Sequence, residues 1–212
     1  MYIILGSQSQ GRRELLAAMG YAFAVMPAHI DERAIRSEDL GALTLALAHA
    51  KADARLPQIH EPALLITSDQ VVVWQGTIRE KPAHAEEAHA FLRGYAEGPA
   101  ETVTAVVVTH TATGVRQQGV DRATVWFRRI PEEVIAQVIA RGEVFAHAGG
   151  FSITDPLLEA YIERVDGTAE SVIGLPTALT RRLIRAALAS PASEDPASAG
   201  RCESPAGGPS GP

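Results

Sequence analysis

The chain has 212 residues, 46% of them hydrophobic, and a formal charge of −6 from 19 basic and 25 acidic residues. That is enough apolar material for one sizeable core or two small lobes sharing a cleft. The acidic balance argues against a general nucleic-acid binder and confines any phosphate site to a local patch, while the only cysteine, Cys202, leaves no intrachain disulfide and fits a reducing compartment.

Tyr2 to Leu5 reads as a strand, too short for a secretory apolar region. No later apolar run reaches membrane-spanning length, so a cytoplasmic protein with no membrane partner is expected. GSQSQGRRELLAAMG follows, with Leu15, Leu16 and Met19 at helical spacing and Gly20 as a stop. A strand–loop–helix junction points backbone N–H groups and the positive end of the helix dipole into the loop, and Ser7, Ser9, Arg12 and Arg13 add hydroxyls and guanidinium groups. Two readings stand equal: a triphosphate cradle, or a helix capped by Ser9 with two solvated arginines. The Walker spacing is absent.

Tyr21, Phe23 and Val25 alternate with smaller residues and predict a second strand running to Pro27, and the acidic pair Asp31 and Glu32 then reads as exposed loop. A helix is expected from Glu38 to Arg55, capped by Ser37, with Leu40, Leu43, Leu47, Ala50 and Ala54 as its buried stripe. Lys51 lies at the edge of that stripe, where a lysine ordinarily snorkels to water. His49, His60, His84, His89, His110 and His147 show no grouping with zinc-ligand spacing.

Leu64 to Pro82 is the one apolar, strand-like run with charges set inside it. A carboxylate at Asp69, among Ile66, Val71 and Val72, is costly unless it has a partner or a task. A turn at Gln75 and Gly76 is expected to return Lys81 toward it, giving a metal or proton-handling site beside a phosphate-binding cation. The plainer alternative is a buried Asp69 paired with Lys81 for structure alone.

Ala88, Phe91, Leu92 and Tyr95 predict an amphipathic helix, and Thr102 to Thr109 and Gly119 to Arg128 predict a long hairpin turned at Thr113 and Gly114. Pro131, Glu132 and Glu133 open a structural helix that ends at Arg141 and Gly142. Gly149 and Gly150 allow a turn or a close approach to a ligand, with Thr154 and Asp155 able to face that space. Tyr161 to Val165 reads as a strand, and Gly174, Leu175 and Pro176 start a last helix whose stripe is Leu179, Leu183, Ile184, Ala187 and Leu188. Beyond Ser190 an Ala, Ser, Pro and Gly tail is expected to be disordered. With hairpins as well as helices, an α/β or α+β fold around a mixed sheet is expected.

In this order and spacing the pieces resemble the Maf family of nucleoside triphosphate pyrophosphatases, from Ile3 to about Leu188. The opening motif, like LASxSPRR, stands as LGSQSQGRR with Ser7, Ser9 and Arg12 aligned, and the acidic residue after the second strand matches Glu32 in IDE. Lys51 in AHAKA, Asp69 in SDQ, Lys81 in EKP and the VIGLP of Val172 to Pro176 complete six ordered matches. The resemblance implies a fold related to that of the inosine triphosphate pyrophosphatases: one domain over residues 1–189, an elongated twisted mixed sheet flanked by helices, and two lobes around a central cleft. It also implies hydrolysis between the α- and β-phosphates of a nucleoside triphosphate, with Ser7, Ser9, Arg12, Lys51 and Lys81 on the phosphates. Glu32 and Asp69 would hold Mg²⁺ or Mn²⁺, Asp69 would serve as general base, and a homodimer is expected.

The SDQ form resembles the branch that hydrolyses 7-methyl-GTP, which makes Gln70 a candidate for base selection. The dTTP and UTP branch carries an arginine where Gly11 stands and a glutamine where Thr154 stands, so Thr154 is a second candidate. The family's association with arrest of septum formation also suggests a nucleotide-binding regulator without catalysis. The carboxylates speak against that, since a pure phosphate binder does better without negative charge.

Overall fold

The computed structural model describes residues 2–189. The tail and Cys202 lie outside the described residues. A seven-stranded mixed sheet runs in the order β2-β1-β3-β5-β6-β7, with β4 attached to β3. The strands are β1 (Tyr2–Leu5), β2 (Phe23–Val25), β3 (Ala63–Trp74), β4 (Thr77–Arg79), β5 (Ala100–His110), β6 (Arg116–Phe127) and β7 (Ile162–Asp166). The helices are α1 (Gln10–Ala18), α2 (Leu40–Arg55), α3 (Ala85–Gly94), α4 (Glu132–Arg141), α5 (Ala169–Ile173) and α6 (Thr177–Ala189).

The long central strand β3 organises the sheet. It lies parallel to β1 as far as Leu5 opposite Ile66, and antiparallel to β4 from Val72 opposite Arg79. On its other side β5 pairs with it from Leu64 to Val73. Between the end of β1 and the start of β4, residues 67–71 therefore have no strand on one flank. Alternation along β3 divides its side chains between two faces. Leu65, Val71 and Val73 join clusters with residues of α2, whereas Leu64 and Ile66 pack with Leu175, Leu179 and Leu183 at the start of α6 and just before it.

A second core lies toward β6 and β7, around Tyr95, Phe127 and Phe151, whose ring centroids are 5.2 to 5.4 Å apart. Beside it the buried Arg79 guanidinium lies over Trp74 at 3.9 Å and over Phe91 and Tyr95 at 4.7 Å, its Nη1 donating to the Phe91 carbonyl. Burial pushes the Tyr95 hydroxyl up to about 12, and it donates to the Gly149 carbonyl at 2.7 Å.

Several local expectations are corrected. The second helix starts at Leu40 and is capped by Asp39, whose Oδ1 accepts the Ala42 N–H at 2.6 Å, in place of Ser37. Its buried stripe runs through Ala48 and Ala52, not Ala50 and Ala54, because alanine on either face leaves the phase of a helix unmarked. The second strand covers only Phe23–Val25, the sixth begins earlier, at Arg116, and Leu188 is half exposed. The five-residue α5 was not anticipated; five residues are too few for a periodic signal. Of the two readings of Gly149 and Gly150 the turn is the one formed, with φ of 71° and 69°, and the close approach is to protein: a side chain at Gly149 would lie 2.7 Å from Val72 Cγ1 and 2.8 Å from Tyr95 Oη.

Gly149 has a left-handed φ of 71° with no room, and Gly142 has a φ of 78° with nothing within 4 Å. Gly149→Ala is expected to lose about 3 kcal/mol, from backbone strain together with overpacking, and Gly142→Ala only about 1 kcal/mol from strain alone. Urea unfolding of the two variants measures the difference, and equal losses would contradict the packing argument.

Candidate active site

The gap in the sheet beside residues 67–71 is where the charged side chains meet. Asp69 points to the α2 face and is buried, and Lys51 on α2 reaches it, Nζ lying 2.5 Å from Asp69 Oδ1 and 2.8 Å from Glu32 Oε1. The Lys51 and Asp69 side chains are 12% and 8% exposed, that of Glu32 56%. Glu32 sits on a 3-10 turn, Glu32–Ala34, capped by Asp31. One ammonium thus joins a buried carboxylate to an open one. Burial pushes the Asp69 carboxyl above its ordinary value, opposed by Lys51 and Arg12. Thr67, two residues back on the same face, donates to the Ala48 carbonyl at 2.8 Å and so ties α2 to β3 beside the pair.

Arg12 approaches from the other side of the gap. Ser9 caps α1, its Oγ accepting the Arg12 N–H at 3.4 Å, so that part of the plainer reading holds. Arg12 itself is not solvated: Nη1 donates to the Ser68 carbonyl at 2.8 Å and to Ser7 Oγ at 3.4 Å, and Nε donates to the Gly174 carbonyl at 2.9 Å. Gly6 N–H is the last bond from the β1 end, to the Ile66 carbonyl, so the guanidinium takes the next carbonyl that a longer β1 would have claimed. Burial lowers the Arg12 pKa, against the pull of Asp69 and Glu32. Its Nη2 makes no hydrogen bond to protein among the described residues. Arg13 instead bonds Gln10 at 2.6 Å on the surface.

The structure therefore brings Ser7, Arg12, Glu32, Lys51 and Asp69 together, with Ser9 as the cap beneath them. Lys81 is placed differently from expectation. The turn at Gln75 and Gly76 forms, but Lys81 stands exposed beyond β4, makes no ion pair among the described residues, and has its charge felt by His147. Lys51, not Lys81, is the partner of Asp69. Gln70 points to the opposite face from Asp69, toward α5. Thr154 is exposed and shares a hydrogen bond with Ser152 at 2.9 Å. Two contributors went unread in the sequence: the carbonyls of Ser68 and Gly174. The small residues Gly6 and Gly174 were their only signal.

Among the described residues no group of three or more His, Cys, Asp or Glu forms a ready metal cage. Glu32 and Asp69 remain a pair of hard oxygen donors, the set that suits a cation such as Mg²⁺ completing its shell with water and phosphate. A cavity of about 620 Å³ opens elsewhere, lined in part by Gly41, Val120, Arg122 and Arg182. Its Val120 is two strands across from Asp69 in the same row, and none of the charged cluster lines it. Among the described residues no helix is long and apolar enough to cross a membrane.

Comparison with known proteins gives the chain's relatives. Residues 2–187 match the family described as Maf-like protein. A 7-methyl-GTP pyrophosphatase of Dictyostelium discoideum is 40% identical over 189 residues, covering 86% of this chain and 95% of its own. A dTTP/UTP pyrophosphatase of Vibrio vulnificus (strain YJ016) is 33% identical over 183 residues, covering 86% and 96%. Among solved structures, a nucleoside-triphosphatase / dITP/XTP pyrophosphatase from Mycobacterium abscessus matches with a TM-score of 0.39 and 12% identity, over 90% of this chain and 98% of its own. With the family match spanning nearly every described residue and relatives this similar over most of their length, the chain belongs to the Maf family.

Proposed function

We propose that the chain is a nucleoside triphosphate pyrophosphatase, hydrolysing the bond between the α- and β-phosphates to give a nucleoside monophosphate and pyrophosphate. The observation that carries this reading is the Glu32–Lys51–Asp69 bridge facing the fixed guanidinium of Arg12 across a gap in the sheet. Cations alone would suffice to bind a triphosphate; two carboxylates among them are useful only to a reaction.

In this reading Arg12, held by two backbone carbonyls, presents Nη2 to the phosphates without first having to be ordered. Lys51 neutralises Asp69 in the free protein and can turn its ammonium to an incoming phosphate, while the exposed Lys81 adds charge from the hairpin side. Glu32 and Asp69 would hold a divalent cation, Mg²⁺ or Mn²⁺, which when bound polarises the attacked phosphorus and screens the triphosphate. Lys51 bonds Asp69 at Oδ1, so Oδ2 is the oxygen left to orient water and accept its proton as the new bond to the α-phosphorus forms and the pyrophosphate oxygen leaves. For the base, the SDQ residues and the similarity to a 7-methyl-GTP pyrophosphatase favour 7-methyl-GTP over dTTP and UTP. Gly11 has a local reason to be small, since a side chain there would lie 2.5 Å from Ile173 Cγ2 on α5.

Incubation with Mg²⁺ and a panel of 7-methyl-GTP, dTTP, UTP, CTP, GTP and ITP tests the reading. Pyrophosphate is the expected product, and orthophosphate as the direct product would overturn it. Asp69→Asn is expected to lower kcat by about 1,000-fold or more.

The same substitution has a stability signature. Because burial raises the pKa of Asp69 in the folded chain, the folded state binds more protons than the unfolded state above the ordinary value of 3.8. Wild-type stability from this group is then full below that value and falls as pH rises through the raised one. Asp69→Asn lacks this loss, so its unfolding free energy relative to wild type should increase from pH 4 to pH 8 in denaturant titrations; a difference that shrinks with pH would contradict the burial argument.

For Lys81→Ala, which removes an exposed side chain with no ion pair among the described residues, stability should stay within about 0.5 kcal/mol of wild type. Its kcat/KM is expected to drop by about 100-fold. Unfolding of this variant would assign Lys81 to the fold instead.

A further inference from the structure

Gln70, the residue that the sequence associates with the base, has its amide nitrogen engaged elsewhere. Its Nε2 donates to Thr104 Oγ1 at 2.8 Å and to the carbonyls of Ser171 and Val172 at 2.8 and 3.0 Å. Both carbonyls belong to the last turn of α5, whose carbonyls have no partner inside the helix. A helix of five residues does not persist by its own backbone bonds, so side chains hold it in place: Thr168 caps its start, accepting the Ser171 N–H at 3.2 Å, and Gln70 and Thr104 clamp its end.

That clamped turn leads directly into Gly174, at a φ of 108°, and the Gly174 carbonyl accepts both Arg12 Nε at 2.9 Å and Ser68 Oγ at 3.0 Å. A side chain at Gly174 would lie 3.2 and 3.3 Å from Arg12 Nε and Nη2 and 3.4 Å from Gln70 Oε1. Arg12 and Gln70 thus converge on the space that the glycine leaves open. A shift of α5 along the sheet would carry the Gly174 carbonyl away from Nε and release one of the three hydrogen bonds that hold the guanidinium.

We propose that Gln70 is a positioning residue for Arg12, acting through α5 and the Gly174 carbonyl rather than by contact with the base. The proposal rests on the assignment of Arg12 to the substrate phosphates. It differs from a base contact in its consequence: a positioning residue affects every triphosphate alike, because all share the phosphates.

The test combines turnover with a readout on Arg12 itself, in the full chain. In ¹H–¹⁵N spectra the Arg12 Nε–H signal, assigned by its loss in Arg12→Lys, should be slow to exchange with solvent in wild type and exchange fast in Gln70→Met. The kcat/KM of Gln70→Met should fall by about 100-fold for every triphosphate that wild type hydrolyses, with their ratios unchanged. In an Arg12→Ala background the same substitution should change kcat/KM by less than about threefold, since the two act as one unit. Gln70→Asn, which keeps the amide but shortens the reach, should fall between wild type and Gln70→Met on both readouts, and it carries the test if Gln70→Met does not fold. An unchanged Arg12 signal, or a loss confined to one base, would overturn the proposal. Absence of turnover on any triphosphate by wild type would remove the pyrophosphatase reading, and the exchange of the Arg12 signal would still decide the positioning role.

Discussion

A carboxylate buried in the middle of the sheet is the constraint on which the rest of this site depends. Asp69 cannot be left uncompensated there, and the ammonium of Lys51 is what makes its burial tolerable. To deliver that ammonium, α2 must lie across β3 in one register, which Thr67 fixes from the strand side and the small residues Ala48 and Ala52 permit from the helix side. The gap between β1 and β4 then gives the pair access to solvent and to Glu32. If Asp69 is the proton acceptor proposed above, placement and fold stability pull in opposite directions at this point: the same desolvation that raises the Asp69 pKa is unfavourable to the folded chain and useful to that role.

The gap is also the structural meaning of the strand–loop–helix opening. The end of a parallel strand beside a helix start is a recurrent ligand crevice in α/β sheets. Here β1 stops at Leu5, and Arg12 replaces the missing strand by donating to the Ser68 carbonyl. A cation that completes a backbone ladder is held in place more firmly than one that reaches out from a surface, which would suit Arg12 to the phosphate contact proposed for it, with little ordering left to do on binding.

Much of this was legible in the sequence where the physics is local. The turn at Gln75 and Gly76, the stop at Gly142 and the capping by Ser9 follow from backbone geometry that few residues adopt. The buried acid was legible because charge amid β-branched residues is rare. What escaped was the choice of partner: Lys81 lies 12 positions after Asp69 and Lys51 lies 18 before it, and nothing local decides between them. Packing of α2 on β3 decides it. What Gln70 touches escaped for a related reason. It neighbours Asp69 in the chain, but neighbours in a strand look in opposite directions, and this one looks into a five-residue helix that has no periodic signature.

That two-sidedness of β3 limits how the protein can vary over evolutionary time. Substitutions along the strand change one face and leave the other intact, so the acid's surroundings and those of Gln70 can drift independently. A single inserted or deleted residue between Ala63 and Asp69 would instead turn the acid toward α6 and its neighbours, and would send the residues meant for α6 toward α2. Length in this segment is therefore frozen even where identity is free, and the number of residues separating Asp69 from the start of its strand is as much a part of the site as the carboxylate.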